Sequence, residues 1–132
     1  MHQIVNPSTL QEPKGFAHAV IAAPGRAVYL GGQTGHRQDG SLAGMDVVAQ
    51  YDQAAANVVE ALRAAGGVPE HIVSLQIFVT DAEEYRRSLR ALGEAHRRHF
   101  GAHYPATALF EVKGLFDPAA RVELLCVAVV PS

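Results

Sequence analysis

The chain has 132 residues, 48% of them hydrophobic and 18% charged, with a formal net charge of -2. That length makes one domain, spanning 1–132, with a core of its own, and the balance excludes a disordered chain. It argues against a protein that holds nucleic acid through a strong overall positive field, and no run approaches the roughly eighteen apolar residues of a membrane span.

In chain order, Gln3 to Asn6 predicts a short edge strand stopped by Pro7, followed by a loop to Gly15. Ala17 to Ala22 and Ala27 to Leu30 flank the Pro24-Gly25 turn and read as a hairpin. Gly31-Gly32-Gln33-Thr34-Gly35 lacks the Gly-Lys-Ser/Thr ending of a phosphate loop, and no helix starts behind it to hold an anion. Close backbone approach, a bulge or a wall for a ligand or partner chain accounts for it better.

Apolar residues from Val47 to Ala65 recur at helical spacing. Asp46 is the expected N-cap, and Gly66-Gly67 with Pro69 the stop. Ile72 to Val79 predicts a central strand. Thr80 with Glu83, or Asp81 with Glu84, has the spacing of a capping box, so a second helix is expected to run from there to Phe100, ended by Gly101. Tyr104 to Val112 and Arg121 to Val130 close the chain as two strands, read as a terminal hairpin. The second carries seven apolar residues in a row, the mark of a strand buried on both faces.

The order is that of an α+β two-layer sandwich, with a mixed five- or six-stranded sheet and two helices on one face. Two helices cover one face only, yet the strands from Ile72, Ala106 and Leu124 are apolar on both. The other face is therefore expected to lie against further copies in a closed homo-oligomer.

Each of the last two strands carries one carboxylate among apolar neighbours, Glu111 and Glu123. Two readings stand: solvated groups at strand ends, or a cleft acid or base whose apolar surroundings tune it toward proton transfer near neutral pH. On the second helix, Arg86, Arg87, Arg90, Arg97 and Arg98 read as a solvated face rather than a nucleic-acid patch, with Glu83 spaced to pair with Arg87 and Glu94 with Arg97 or Arg98. His96, His99 and His103 have no acidic or thiol ligand beside them, so no metal is expected. No cofactor is called for. The single Cys126 reads as a small buried hydrophobe in a reducing compartment, and the N-terminus has no secretory pattern, so the expected location is cytoplasmic.

A run of matches covers nearly the whole chain. These are Lys14-Gly15-Phe16-Ala17-His18-Ala19-Val20, Leu30-Gly31-Gly32-Gln33, Asn57, Glu60-Ala61, Ala64-Ala65-Gly66, Ile72 through Asp81, Tyr104-Pro105-Ala106, Phe110-Glu111-Val112 and Val122-Glu123. In this order and spacing the chain resembles the RidA family, also called YjgF. The resemblance implies a chorismate-mutase-like fold and a homotrimer with three small-molecule clefts between subunits. Some members hydrolyse reactive enamines and imines to keto acids and ammonia.

It also implies roles. Glu123 matches the glutamate that holds or activates the attacking water. Thr107 stands where deaminating members carry an arginine that clamps the substrate carboxylate, Phe16 where an aromatic hydroxyl is usual, and His18 where a glutamine is. The expected pocket therefore has Glu123 as base, with Phe16, His18, Gly32, Thr107, Leu109 and Glu111 as its lining, and Arg26, Arg37 or Lys113 as sources of a displaced cation. Its expected substrate lacks an α-carboxylate. A non-catalytic ligand-binding or regulatory trimer is the alternative, and nucleic-acid cleavage, an older label of the family, fits the charge balance least.

Overall fold

A computed structural model describes residues 1–132. Its elements are β1 (Gln3–Val5), β2 (Ala19–Ile21), β3 (Gly25–Tyr29), β4 (Gln33–Thr34), α1 (Val47–Ala64), a 3-10 turn at Pro69–His71, β5 (Ile72–Val79), α2 (Ala82–Arg87), α3 (Leu89–Phe100), β6 (Ala106–Glu111) and β7 (Val122–Pro131). The longest strand, β7, alternates buried and half-buried residues almost to its end. A strand of that kind needs a neighbour on each edge to satisfy its backbone. It has β3 and β4 on one side and β5 on the other, all antiparallel, while β6 extends the sheet parallel to β5.

The helices pack on one face of this sheet, giving the expected two-layer α+β sandwich. Val47, Tyr51, Ala54, Val58 and Leu62 of α1 and Leu92, Ala95 and Phe100 of α3 bury against Leu75, Ile77 and Val79 of β5 and Leu124, Cys126 and Ala128 of β7. Each fully buried Leu or Val there contributes about 1.5–3 kcal/mol. Burial pushes the Cys126 thiol up to about 12.

Three connections differ from the sequence reading. β2 does not form a hairpin with β3 but pairs with β1 in a separate ribbon, Gln3↔Ile21 to Val5↔Ala19. β3 instead gains five register pairs on β7, from Gly25↔Pro131 to Tyr29↔Val127, more than the three residues of β2 offer. β6 and β7 are not a hairpin either, because β7 passes back over β5 and enters the middle of the sheet. The expected second helix is two, broken at Ser88 (φ -111°, ψ 14°), whose N–H bonds the Tyr85 carbonyl three residues back at 3.1 Å.

The ends of the helices follow local chemistry. Asp46 Oδ1 accepts from the Ala49 N–H at 2.8 Å, capping α1. At its other end Gly66, at φ +89°, takes the left-handed conformation, with Gly66 N–H bonded to Arg63 O and Gly67 N–H to Leu62 O, both at 2.9 Å, a Schellman closure. Of the two capping alternatives Asp81 is the one realised, accepting from Glu83 and Glu84 N–H. Glu84 does not close a reciprocal box. Its carboxylate reaches the Val47 N–H at 3.4 Å and Arg121 at 3.2 Å.

One polar side chain lies at the centre of this arrangement. Gln50 is fully buried, its amide donating to the carbonyls of Gly44 (2.9 Å) and Ala119 (3.2 Å) and accepting from Arg121 N–H (2.7 Å). Gln50→Ala strands all three backbone groups, so it is expected to destabilise the fold by about 3 kcal/mol. Urea unfolding will show this as a lower midpoint at unchanged slope.

His96 gives a pH prediction. Burial holds its imidazole below the ordinary 6.5. Below about 6.5 the unfolded state binds the proton that the folded state refuses, so this contribution to stability is full above that pH and declines as pH falls toward the folded value. Urea midpoints measured from pH 7 down to 5 should fall, and fall less in His96→Asn.

Candidate functional site

The segment 14–18 lies along the outer edge of β6, tied there by the Ala17 N–H to the Pro105 carbonyl at 3.1 Å. Between this segment, β6 and the helices is a cavity of about 420 Å³, with Phe16, Leu75, Tyr85, Leu92, Thr107 and Leu109 among its walls. Thr107 donates its hydroxyl to the Pro105 carbonyl at 2.7 Å, so it offers the cavity no free donor. Tyr51, His96 and Tyr104 also line it. The His96 ring stacks on Tyr104 with centroids 4.8 Å apart, and its Nε2–H donates to the His103 carbonyl at 2.8 Å. That leaves Nδ1 as an acceptor for the Tyr51 hydroxyl, 3.5 Å away. Burial raises the pKa of both Tyr51 and Tyr85 and lowers that of His96, so these groups are neutral near pH 7. The one charged lining group is the exposed Lys14.

His18 stands edge-on to Phe16, centroids 5.2 Å apart, and its Nε2–H donates to the Gln11 carbonyl at 2.7 Å. It lines a smaller cavity of about 220 Å³ with Ser74, Gln76, Ala106, Thr107 and Ala108.

Glu123 lies elsewhere. Phe78 of β5 pairs with both Phe110 of β6 and Glu123 of β7, so these three share the face that the helices leave open. Thr107 and Leu109, paired with Leu75 and Ile77, point to the helix face. With β5 between them, β6 and β7 are about 10 Å apart. The Glu123 carboxylate leans over Gly32, where a Cβ would come within contact distance of Oε2. Absence of a side chain at Gly32 is what makes room for it. Across the ladder from Glu123 is Thr34.

Thr34 belongs to a network that the sequence does not announce. Its Oγ1 is 2.6 Å from His36 Nδ1, and His36 Nε2 is 2.8 Å from Asp117 Oδ2. Asp117 is held below the ordinary carboxylate value first by the Ala119 N–H and then by His36. The Asn57 amide of α1 donates to the carbonyls of both Thr34 (3.1 Å) and His36 (2.8 Å).

Glu111 joins neither group. It points to the helix face, where Oε1 accepts from the Ala82 N–H at 2.8 Å and satisfies one of the free donors opening α2. Glu111 and Glu123 thus do not converge within the chain. The candidate residues fall into one cluster of Phe16, Thr107 and Leu109 with His18 adjacent, and a second of Gly32 and Glu123.

Of the cations expected to reach the pocket, Arg37 is committed to Ser41 Oγ and the carbonyls of Leu42 and Ala43. Lys113 borders a separate cavity with Met45 and Arg121, and Arg26 is exposed on β3. On the helices, Arg87 pairs with Glu83 as expected, but Arg98 pairs with Asp52 at 2.8 Å rather than with Glu94. His99 shares the same carboxylate and His103 binds the Ile72 carbonyl, so the three histidines point to different partners. Lys14, Tyr51, Tyr85 and Tyr104 were missed as lining residues. Tyr51 and Tyr85 read as apolar helix positions, Lys14 as loop and Tyr104 as the start of a strand, and the fold brings them together. No helix is long and apolar enough to cross a membrane.

The capping role of Glu111 gives a direct test. Glu111→Ala should lower stability by about 1 kcal/mol, as loss of a helix-terminal hydrogen bond does, and leave any reaction at Glu123 unchanged. Urea unfolding and turnover measured on the same preparation check both halves.

Residues 8–130 match the family model described as Endoribonuclease L-PSP. Over 115 residues the chain is 30% identical to a 2-iminobutanoate/2-iminopropanoate deaminase of Capra hircus, covering 86% of this chain and 79% of that protein. The corresponding human deaminase is 28% identical over the same length. Among solved structures, YyfB of the conserved Rid protein family from Yersinia pestis superposes with a TM-score of 0.88 at 31% identity, over 98% of each chain. The YjgF gene product of E. coli gives 0.70 at 27% identity, covering 86% of this chain and 87% of that one.

Proposed function

The chain belongs to the endoribonuclease L-PSP family, which includes the Rid and YjgF proteins, and on that premise we propose that it hydrolyses small imines or enamines in a cleft completed between copies of the chain. The observation that carries this is the division of the candidate residues. A mostly apolar cavity beside β6 and a lone carboxylate over Gly32 lie on opposite faces of one sheet, too far apart to serve one small substrate. A neighbouring copy in a homotrimer brings the cavity of one subunit to the Glu123 of the next. It also covers the open apolar face, where Phe78 and Phe110 stack at 5.5 Å and Tyr29 is 80% exposed.

Glu123 is then the base. It takes a proton from water as the oxygen bonds to the imine carbon, the C=N π pair moves to nitrogen, and nitrogen is protonated. Collapse of the carbinolamine breaks the C–N bond, so imine and water give carbonyl compound and ammonia. Thr107, with its hydroxyl already donated, cannot clamp an α-carboxylate, and the one cation of the lining, Lys14, is exposed. Substrates without that group suit it better, since a missing charged anchor costs a few kcal/mol, about two powers of ten in affinity.

A second reading, a ligand-binding trimer without catalysis, is favoured by the neutrality of the cavity's buried groups. RNA cleavage, which the family's description names, sits poorly with a net charge of -2 and with Arg87, Arg98 and Arg121 each paired to a carboxylate. Ammonia release from imines generated in place separates the first two. Glu123→Gln should lower it about a hundredfold or more, while a ligand-binding trimer shows no release and unchanged binding. Thr107→Arg should shift preference toward imines bearing an α-carboxylate. Light scattering should give three times the 14.1 kDa chain mass, and a monomer removes the shared cleft.

A further inference from the structure

Thr34, His36 and Asp117 have a use the reaction above has not absorbed. Asp117 is an ionised carboxylate and can only accept, so the 2.8 Å contact places the proton of neutral His36 on Nε2. Nδ1 is then bare, and at 2.6 Å it can only receive the Thr34 hydroxyl proton. The direction of that hydroxyl is thereby fixed: Thr34 Oγ1 presents lone pairs, and no hydrogen, to whatever else approaches it. Thr34 is the cross-strand partner of Glu123 on the open face, and such partners have Cβ atoms about 4.5–5.5 Å apart. Gly32, two residues before Thr34, is the backbone over which the Glu123 carboxylate lies.

We propose that Thr34, with its hydroxyl direction set by His36 and Asp117, is a positioning residue for the water that Glu123 activates. Two acceptors side by side orient a water completely. It donates one hydrogen to the Glu123 carboxylate and the other to Thr34 Oγ1, and its lone pairs point away from both, toward the electrophilic carbon. The proton that moves in the reaction still goes to Glu123, and Thr34 neither gains nor loses one.

The parts are held rigidly. Asn57 fixes the backbone carrying Thr34 and His36, and Gln50 fixes the carbonyl of Ala119, two residues after Asp117. Gly35 between them is pressed against α1, where a Cβ would meet the Gln50 backbone at 2.7 Å.

The inference rests on Glu123 being the base, and the experiment separates the two. Ammonia release is followed in wild type, Glu123→Gln, Thr34→Val and Thr34→Ser, each checked for unchanged thermal unfolding and mass in solution. Thr34→Val is expected to lower kcat at least tenfold with little change in KM, and Thr34→Ser to restore most of it. Activity lost in Glu123→Gln but kept in Thr34→Val, or a Thr34→Ser variant no more active than Thr34→Val, overturns the positioning role and leaves Glu123 standing. No release from wild type, or full release from Glu123→Gln, overturns both.

Discussion

Two amides of α1, one of them fully buried, are the constraint on which the rest depends. Gln50 is fully enclosed and still makes three hydrogen bonds to backbone, and these reach the loop entering α1 and the loop entering β7. Asn57, two turns along the same helix, holds the carbonyls of Thr34, in β4, and of His36 just after it. Loops of this kind usually form the mobile part of a protein, since little buries them. Here one rigid helix governs their spacing, and a buried amide that lost its partners would cost more than an exposed one, so the arrangement is self-enforcing.

The alternation of a strand explains the division of the site. Thr107 and Glu123 lie on neighbouring parts of the same sheet, yet the period of two sends one toward the helices and the other away. An enzyme assembled on a single two-layer chain has no means of bringing such residues together. The proposed trimer does so by wrapping one copy's open face against the next, so that association and assembly of the cleft become one event. In that proposal the apolar face and the divided site are two descriptions of one requirement.

Much of this was legible in the sequence. The seven-residue apolar run of β7, the cap at Asp46 and the glycine stop of α1 all follow from local chemistry, and the structure has them where expected. The pairing partners were less legible. Neighbouring segments favour a hairpin by default, but ladder length and the need to bury β7 on both edges outweigh proximity, which sends β2 to β1 and β7 to the centre. Glu111 shows the same limit in the site. Its apolar neighbours look like those of Glu123, and only the position of α2 reveals it as a helix cap. His36 and Asp117 are 81 residues apart, with no pattern linking them. Contacts set by tertiary register leave no periodic signal.

Cys126 occupies the middle of β7, 1% exposed, with its thiolate strongly disfavoured. Since the thiolate is the reactive form, the folded chain is inert toward alkylating reagents. Fraying of β1, or of the edge strand β6, leaves this residue covered, because β7 is hydrogen-bonded on both sides. The sulfur therefore becomes available only when the sheet itself parts. Its rate of labelling is an intrinsic clock for global opening, built into the chain without any added probe, and silent to motions of the loops around the cleft.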